Sequence, residues 1–167
     1  MTHVKHNSGI NDDWYTPEYI IDMVKQVMPI ELDPASSDSA NKIVKSKRYF
    51  TESNDGLLKD WKGKVYINPP YSRGWVKKFM EKLCYEYKTG FVDEAIALLN
   101  NGTETGWFQD SAKLSSAICF PKGRIRYLSR DLNSSNGPLQ GQVIFYFGKN
   151  YKKFIKVFQE LGECFRK

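Results

Sequence analysis

The stretch VYINPPYSRGW, Val65 to Trp75, decides how the chain reads. Val65, Tyr66 and Ile67 are β-branched or aromatic and suit a buried strand. Pro69 and Pro70 then follow directly. Neither proline has an N–H, each holds its own φ near about −65°, and each pushes the residue before it to extended geometry. A ladder of backbone hydrogen bonds cannot run on through them, so the strand ends at Asn68 and leaves as a stiff turn. After the turn, Trp75, Val76, Phe79, Met80, Leu83 and Tyr87 recur at helical spacing with lysines between them. The unit is a strand, a rigid turn and a helix.

Similar units surround it. Thr16 is a candidate N-cap, with Pro17 at the first helical position, for a helix carrying Ile20, Ile21, Val24 and Val27 on one stripe. IELDPASS reads as a short strand ending in a turn at Asp33-Pro34, and NKIVKSKRYFT has a second short apolar segment near Tyr49-Phe50. Asn54-Asp55-Gly56 opens a turn and loop region. EAIALLNNG is a buried strand running into a polar loop. AICFPKGRIRYL is strand-like with an interruption at Pro121-Lys122-Gly123, and DLNSSNGPLQG is a flexible loop. QVIFYFG is a strong strand. NYKKFIKVFQELGECF reads as a C-terminal amphipathic helix with Tyr151, Phe154, Ile155, Phe158 and Leu161 on one side. Strands alternating with helices imply an α/β fold, a mostly parallel central sheet flanked by helices, over one domain spanning 1–167 with 1–12 flexible. Ligands of such sheets sit at the carboxyl ends of strands, near the point where strand order reverses. That rule puts Asp33-Pro34 and Asn68-Pro69-Pro70-Tyr71 on one rim.

Composition narrows the classes. At 41% hydrophobic and 14% aromatic, the chain has enough apolar mass for a packed core. No apolar run reaches the length of a membrane span, and MTHVKHNSGINDD has no apolar signal core. Cys84, Cys119 and Cys164 are scattered without a CxxC pair, and His3 and His6 are the only imidazoles, which argues against a disulfide framework or a zinc site. The expected compartment is a reducing cytoplasm. A formal net charge of +6 suits a polyanionic partner.

The Asn-Pro-Pro-Tyr turn also carries chemistry. The Asn68 side-chain carbonyl and the Pro69 backbone carbonyl are two acceptors on stiff backbone, suited to an amino group with two hydrogens. Tyr71 adds a flat face for an aromatic ring. The plain alternative is a proline-rich turn capped by Asn68, with Tyr71 as packing.

Asn68-Pro69-Pro70-Tyr71 resembles the catalytic motif of amino-group methyltransferases that use S-adenosylmethionine. The ordered set DDWYTP, LDPASS, RYFT, NDGLLKDW, INPPYS, ALLNNGTETGWFQD, KGRIRY and QVIFYF is similar to the phage-type DNA N-6-adenine-methyltransferases, the Dam-like family, from about Asp12 to Phe147. The resemblance implies a class I, Rossmann-like methyltransferase fold acting in the cytoplasm, that of a bacterial host if phage-encoded. It assigns Asn68, Pro69, Pro70 and Tyr71 to catalysis. Trp14, Thr16 and Pro17 would meet the methionine end of the cofactor, Asp33 would hold its ammonium group or order water there, and Pro34 and Ala35 would also line the cofactor site. Asp55 would lie near its adenine amine, and Glu52 is a candidate for its ribose. Two features depart from the family pattern: Pro34-Ala35-Ser36-Ser37 replaces a glycine-rich turn, and Asn100-Asn101-Gly102 stands where a Pro-Ala-Arg type of sequence is more usual.

The implied reaction moves a methyl group to the exocyclic amine of a flipped adenine, without metal and without a covalent enzyme intermediate. Arg73, Lys122, Arg124 and Arg126 are the candidate DNA contacts, with Lys77, Lys78 and Arg130 as further candidates. Arg124 and Arg126 alternate and would share a face. Other readings of the motif are methylation of RNA, of cytosine N4 or of a protein glutamine, or an inactive homologue that only binds nucleic acid.

Overall fold

The computed structural model describes residues 14–129 and 140–167. Seven strands form one sheet: β1 (Leu32–Asp33), β2 (Arg48–Tyr49), β3 (Gly63–Ile67), β4 (Val92–Asn100), β5 (Ala117–Pro121), β6 (Gln142–Phe147) and β7 (Gly162–Arg166), in the order β2-β1-β3-β4-β6-β5-β7. β1 runs parallel to β2 and to β3, and β3 runs parallel to β4. β6 lies antiparallel to both β4 and β5, and β7 antiparallel to β5. β6 and β7 are therefore reversed in an otherwise parallel sheet, which bears out the expected α/β class and its Rossmann-like methyltransferase form.

Side-chain alternation along the strands builds a core on each face. Tyr66, Ile96, Leu98, Ile144 and Tyr146 face α1 (Glu18–Val27) and α5 (Tyr151–Phe158), meeting Ile20, Ile21, Val24, Phe154 and Phe158. Val65, Ile67, Ala97, Leu99, Val143 and Phe145 face α3 (Trp75–Lys88) and α4 (Gly106–Leu114), meeting Val76, Phe79, Met80, Leu83 and Phe108. Burial on both sides explains the almost unbroken apolar runs of β4 and β6.

Several elements differ from the sequence reading. α2 (Asp38–Val44) lies in a segment given no helix in the sequence, and α4 begins in the stretch read as a polar loop; Ser37 and Thr105 cap them, accepting from the Ala40 and Phe108 N–H groups. Each buries only one or two side chains, so no apolar stripe marks them in the sequence. Thr16 does not cap α1: the residue before the helix is Pro17, and the Thr16 hydroxyl turns to Tyr66 instead.

The largest correction is at the C-terminus. The helix stops at Phe158, and the chain returns as edge strand β7 along β5. Gly162, which the periodicity overlooked, lets the returning strand dock on β5. A Cβ there would meet the carbonyl of Phe120 and come within 2.7 Å of Pro121 Cα, so only glycine lets β7 come this close to β5.

Gly162→Ala should therefore lower stability by about 1–3 kcal/mol, the usual cost of forcing extra atoms into packed structure. Urea unfolding checks this; an unchanged midpoint would mean that β7 can shift without cost.

Candidate active site

Strand order reverses between β1 and β3: from β1 the chain first places β2 on one side and later β3 on the other. Leu32 pairs with Val65, so Asp33 at the end of β1 and Asn68 just past β3 border the same crevice. The sequence-derived rim is thus a real one, and it lies where open α/β sheets leave room for ligands.

Three segments converge on Asn68. Its Nδ2 donates to the Trp14 carbonyl at 2.9 Å, and its Oδ1 accepts from the Tyr71 hydroxyl at 3.0 Å. The Tyr71 hydroxyl also lies 3.3 Å from that of Tyr127. Since Tyr71 spends its one proton on Asn68, Tyr127 is the donor between the two phenols. Burial raises the pKa of both phenols, so both keep their protons. The amide of Asn68 is therefore held in one orientation, with a lone pair of Oδ1 left for another donor. Pro69 is buried, Pro70 partly so, and the half-buried Tyr71 packs against the α3-side core.

The N-terminal segment is tied down independently. Tyr15 pairs with Leu128 through two backbone hydrogen bonds, at 2.9 and 2.8 Å. The Thr16 and Tyr66 hydroxyls lie 2.6 Å apart in the interior. Trp14 and Tyr127 meet with ring centroids 6.5 Å apart. Pro17 is buried at the start of α1.

Asp33 is 3% exposed and accepts from the Ala35 N–H at 3.3 Å. Burial pushes its carboxyl up to about 7, and the Ser36 hydroxyl and Ala35 N–H offset this only in part. Among the described residues no ion pair engages it. Pro34 is held against the next turn by Gly56, where a Cβ would overlap the Pro34 carbonyl. Asp55 sits just before, at φ 42°, and accepts from the Leu57 N–H at 3.0 Å, so it also shapes its own turn. The buried Trp61 locks this turn by donating to the Gly56 carbonyl at 2.8 Å. Glu52 is exposed two residues before Asn54.

Lys122, Arg124 and Arg126 lie exposed on the segment after β5, while the alternating Ile125 and Tyr127 are buried. The expected alternation holds, and its inward half proved the more informative. Arg73 belongs to the short 3-10 turn Ser72–Gly74 that follows Tyr71. Lys77 pairs with Glu81 at 3.8 Å, and Lys78 lies over the Trp75 ring, 4.5 Å from its centroid. Arg130 and most of DLNSSNGPLQG fall outside the described residues.

Sequence reasoning missed Tyr127, Tyr66 and Gln142 as members of the site. Gln142, 3% exposed, accepts from the Ile125 N–H at 2.9 Å and reaches Asn100 Oδ1 at 3.5 Å. It braces the segment that carries Tyr127 against the end of β4. A buried glutamine opening an apolar strand was the available signal.

The family described as DNA N-6-adenine-methyltransferase (Dam) matches residues 2–162. The chain belongs to that family. Every described residue of this site lies inside the match, so the crevice is that of a DNA adenine methyltransferase family member. No curated protein matches the chain.

Asp33 supplies a pH signature. Its folded pKa of about 7 lies above the ordinary 3.8, so the protonated carboxyl favours folding. That contribution is complete below the unfolded pKa and is lost as pH rises through about 7. Asp33→Asn should remove this loss. Relative to wild type it should gain stability across that window at up to about 1.4 kcal/mol per pH unit, and level off above it. Urea unfolding of both proteins at several pH values tests this; parallel pH curves would mean that Asp33 is solvated.

Proposed function

We propose that the chain transfers a methyl group from S-adenosylmethionine to the N6 amine of adenine in DNA, as a single catalytic domain. The observation that carries this is the clamped Asn68 amide at the reversal crevice of a chain in this family.

The residues suit the cofactor. A buried carboxylate with a raised pKa and no cation beside it among the described residues is a fitting partner for an ammonium group. Asp33 would hold that group, with Trp14, Thr16 and Pro17 lining the methionine end, and Pro34, Ala35 and Asp55 the side toward its adenosine. When bound, S-adenosylmethionine supplies a methyl group already activated by the sulfonium sulfur.

The protein's task is to make the adenine amine nucleophilic. Its lone pair is delocalised into the ring. Asn68 Oδ1 and the Pro69 carbonyl accept its two hydrogens and draw the nitrogen toward tetrahedral geometry, which localises the lone pair. Because Trp14 and Tyr71 already fix the amide, no reorganisation is needed at the moment of reaction. The target base must leave the duplex stack to reach the crevice, and the Tyr71 ring is the surface for it to stack on. Tyr127 holds the Tyr71 hydroxyl and so the amide. Arg124 and Arg126 face outward on the same segment as Lys122, and Arg73 follows Tyr71 in the turn after the motif; phosphates would run along these residues.

Asn68→Ala should cut methyl transfer roughly a hundred- to a thousandfold, the usual cost of losing one preorganised partner. Binding of S-adenosylhomocysteine should persist. The assay uses labelled S-adenosylmethionine with DNA, RNA or protein, followed by nucleoside analysis. N6-methyladenine in DNA is the expected product; N4-methylcytosine, or label in RNA or protein, would replace this reading. Tyr127→Phe should lower kcat by a smaller factor and leave cofactor affinity and thermal stability near wild type; an unchanged kcat would remove Tyr127 from the site.

Replacing Arg124 and Arg126 together by Ala should weaken duplex binding and flatten its log-log salt dependence by about one unit per lost phosphate contact. Fluorescence anisotropy at several salt concentrations measures both slopes. Coincident slopes would take this pair off the DNA path.

A further inference from the structure

Cys119 on β5 and Cys164 on edge strand β7 stand directly opposite each other. The ladder around them fixes the kind of pair they make. The Lys122 N–H donates to the Leu161 carbonyl at 2.9 Å, and the Lys167 N–H to the Ser116 carbonyl at 3.2 Å. In this register both bonds join facing residues, so these are hydrogen-bonded pairs. Hydrogen-bonded and non-hydrogen-bonded pairs alternate along an antiparallel ladder. Ala117, Cys119 and Pro121 therefore occupy non-hydrogen-bonded positions. Pro121, which has no N–H to give, fits that phase.

Facing residues at such positions have Cα atoms about 4.5 Å apart and side chains on the same side of the sheet. That spacing lies inside the roughly 4.4–6.8 Å range that a disulfide spans. Both cysteines pack against the α1–α5 core layer. Both are free thiols, and they differ in access: Cys119 is fully buried and Cys164 half-buried. Cys84, the third thiol, is buried on α3 against the opposite core.

We propose that Cys164 and Cys119 form a peroxide-oxidisable dithiol, with accessible Cys164 as the attacking sulfur and buried Cys119 as the resolving one. The Cys164 thiolate attacks one oxygen of hydrogen peroxide. The O–O bond breaks, hydroxide leaves and Cys164 becomes a sulfenic acid. Cys119 Sγ then attacks Cys164 Sγ, the S–O bond breaks, and water leaves with the Cys119 proton. Overall two thiols lose two electrons and two protons, and one peroxide becomes two waters. The Cys119 thiol donates to the Phe158 carbonyl at 3.6 Å and the Cys164 thiol to the Gly162 carbonyl at 3.7 Å; the closeness of the two sulfurs lowers the Cys164 pKa and raises that of the buried Cys119, consistent with this division of roles. The bridge would pin β7 to β5, just ahead of the segment that carries Lys122 to Tyr127. The proposal is independent of the methyl-transfer reading.

The test treats reduced, folded full-length protein with a small excess of hydrogen peroxide, blocks remaining thiols by alkylation, and maps peptides by mass spectrometry without reductant. The expected product is a monomer lighter by about 2 Da before alkylation, with a Cys119–Cys164 cross-link that dithiothreitol reverses and, after alkylation, with the label on Cys84. Cys119→Ser should accumulate a Cys164 sulfenic acid that dimedone traps, and Cys164→Ser should leave Cys119 reduced. Circular dichroism confirms that each variant is folded before oxidation. Oxidation of Cys164 to sulfinic acid without a cross-link, intermolecular disulfides alone, or a cross-link that appears only after denaturation would each overturn the proposal.

Discussion

The hydrogen bond from Asn68 Nδ2 to the Trp14 carbonyl ties the site together. It joins the end of the interior strand β3 to the segment entering α1, which is itself paired with Leu128. Three stretches far apart in the chain are thereby held around one amide. The prolines after Asn68 make this practicable. They cannot extend the ladder, so the strand tip stays open and its side chain is free to serve the crevice rather than the sheet.

Burial does the rest of the electrostatic work. Asp33, Tyr66, Tyr71 and Tyr127 are all pushed toward their protonated forms, with desolvation as the largest cause in each. Tyr71 and Tyr127 therefore keep their protons, Tyr71 donating to Asn68 and Tyr127 to Tyr71, which gives Asn68 its single orientation. The same desolvation leaves Asp33 as a carboxyl whose ionised form wants a cation. A second buried polar network lies elsewhere: Glu94 accepts from Tyr146 at 2.6 Å and pairs with Lys64 at 2.9 Å. There the charge is already neutralised within the protein, which is the mark of a structural pair rather than a waiting site.

The edge of the sheet follows a different logic. β7 covers β5, and glycine at position 162 permits the close approach. Its cost is a row of unpaired backbone groups facing solvent, moderated by the charged Glu163 and Arg166. The Arg166 guanidinium also lies 4.4 Å from the centre of the Tyr151 ring, which fastens the strand to α5.

Local constraints made much of this legible in the sequence. Fixed proline φ angles ended β3 just before Asn68, alternation and helical spacing named the major strands and helices, and the α/β order put Asp33 and Asn68 on one rim. The family-like segments added the chemistry. Where local pattern is weak, the reading failed: α2 and α4 bury only one or two side chains each and show no apolar stripe, and the stripe of α5 hid the stop at Phe158. Tertiary structure alone decided who satisfies Asn68. Trp14 lies 54 residues before it, and Tyr127 lies 56 residues after the Tyr71 that it holds. The same is true of the Cys119–Cys164 pairing, which needs the register of a strand the sequence had read as helix. Such partners are chosen by where the sheet brings segments together in space, and no period along the chain encodes that distance.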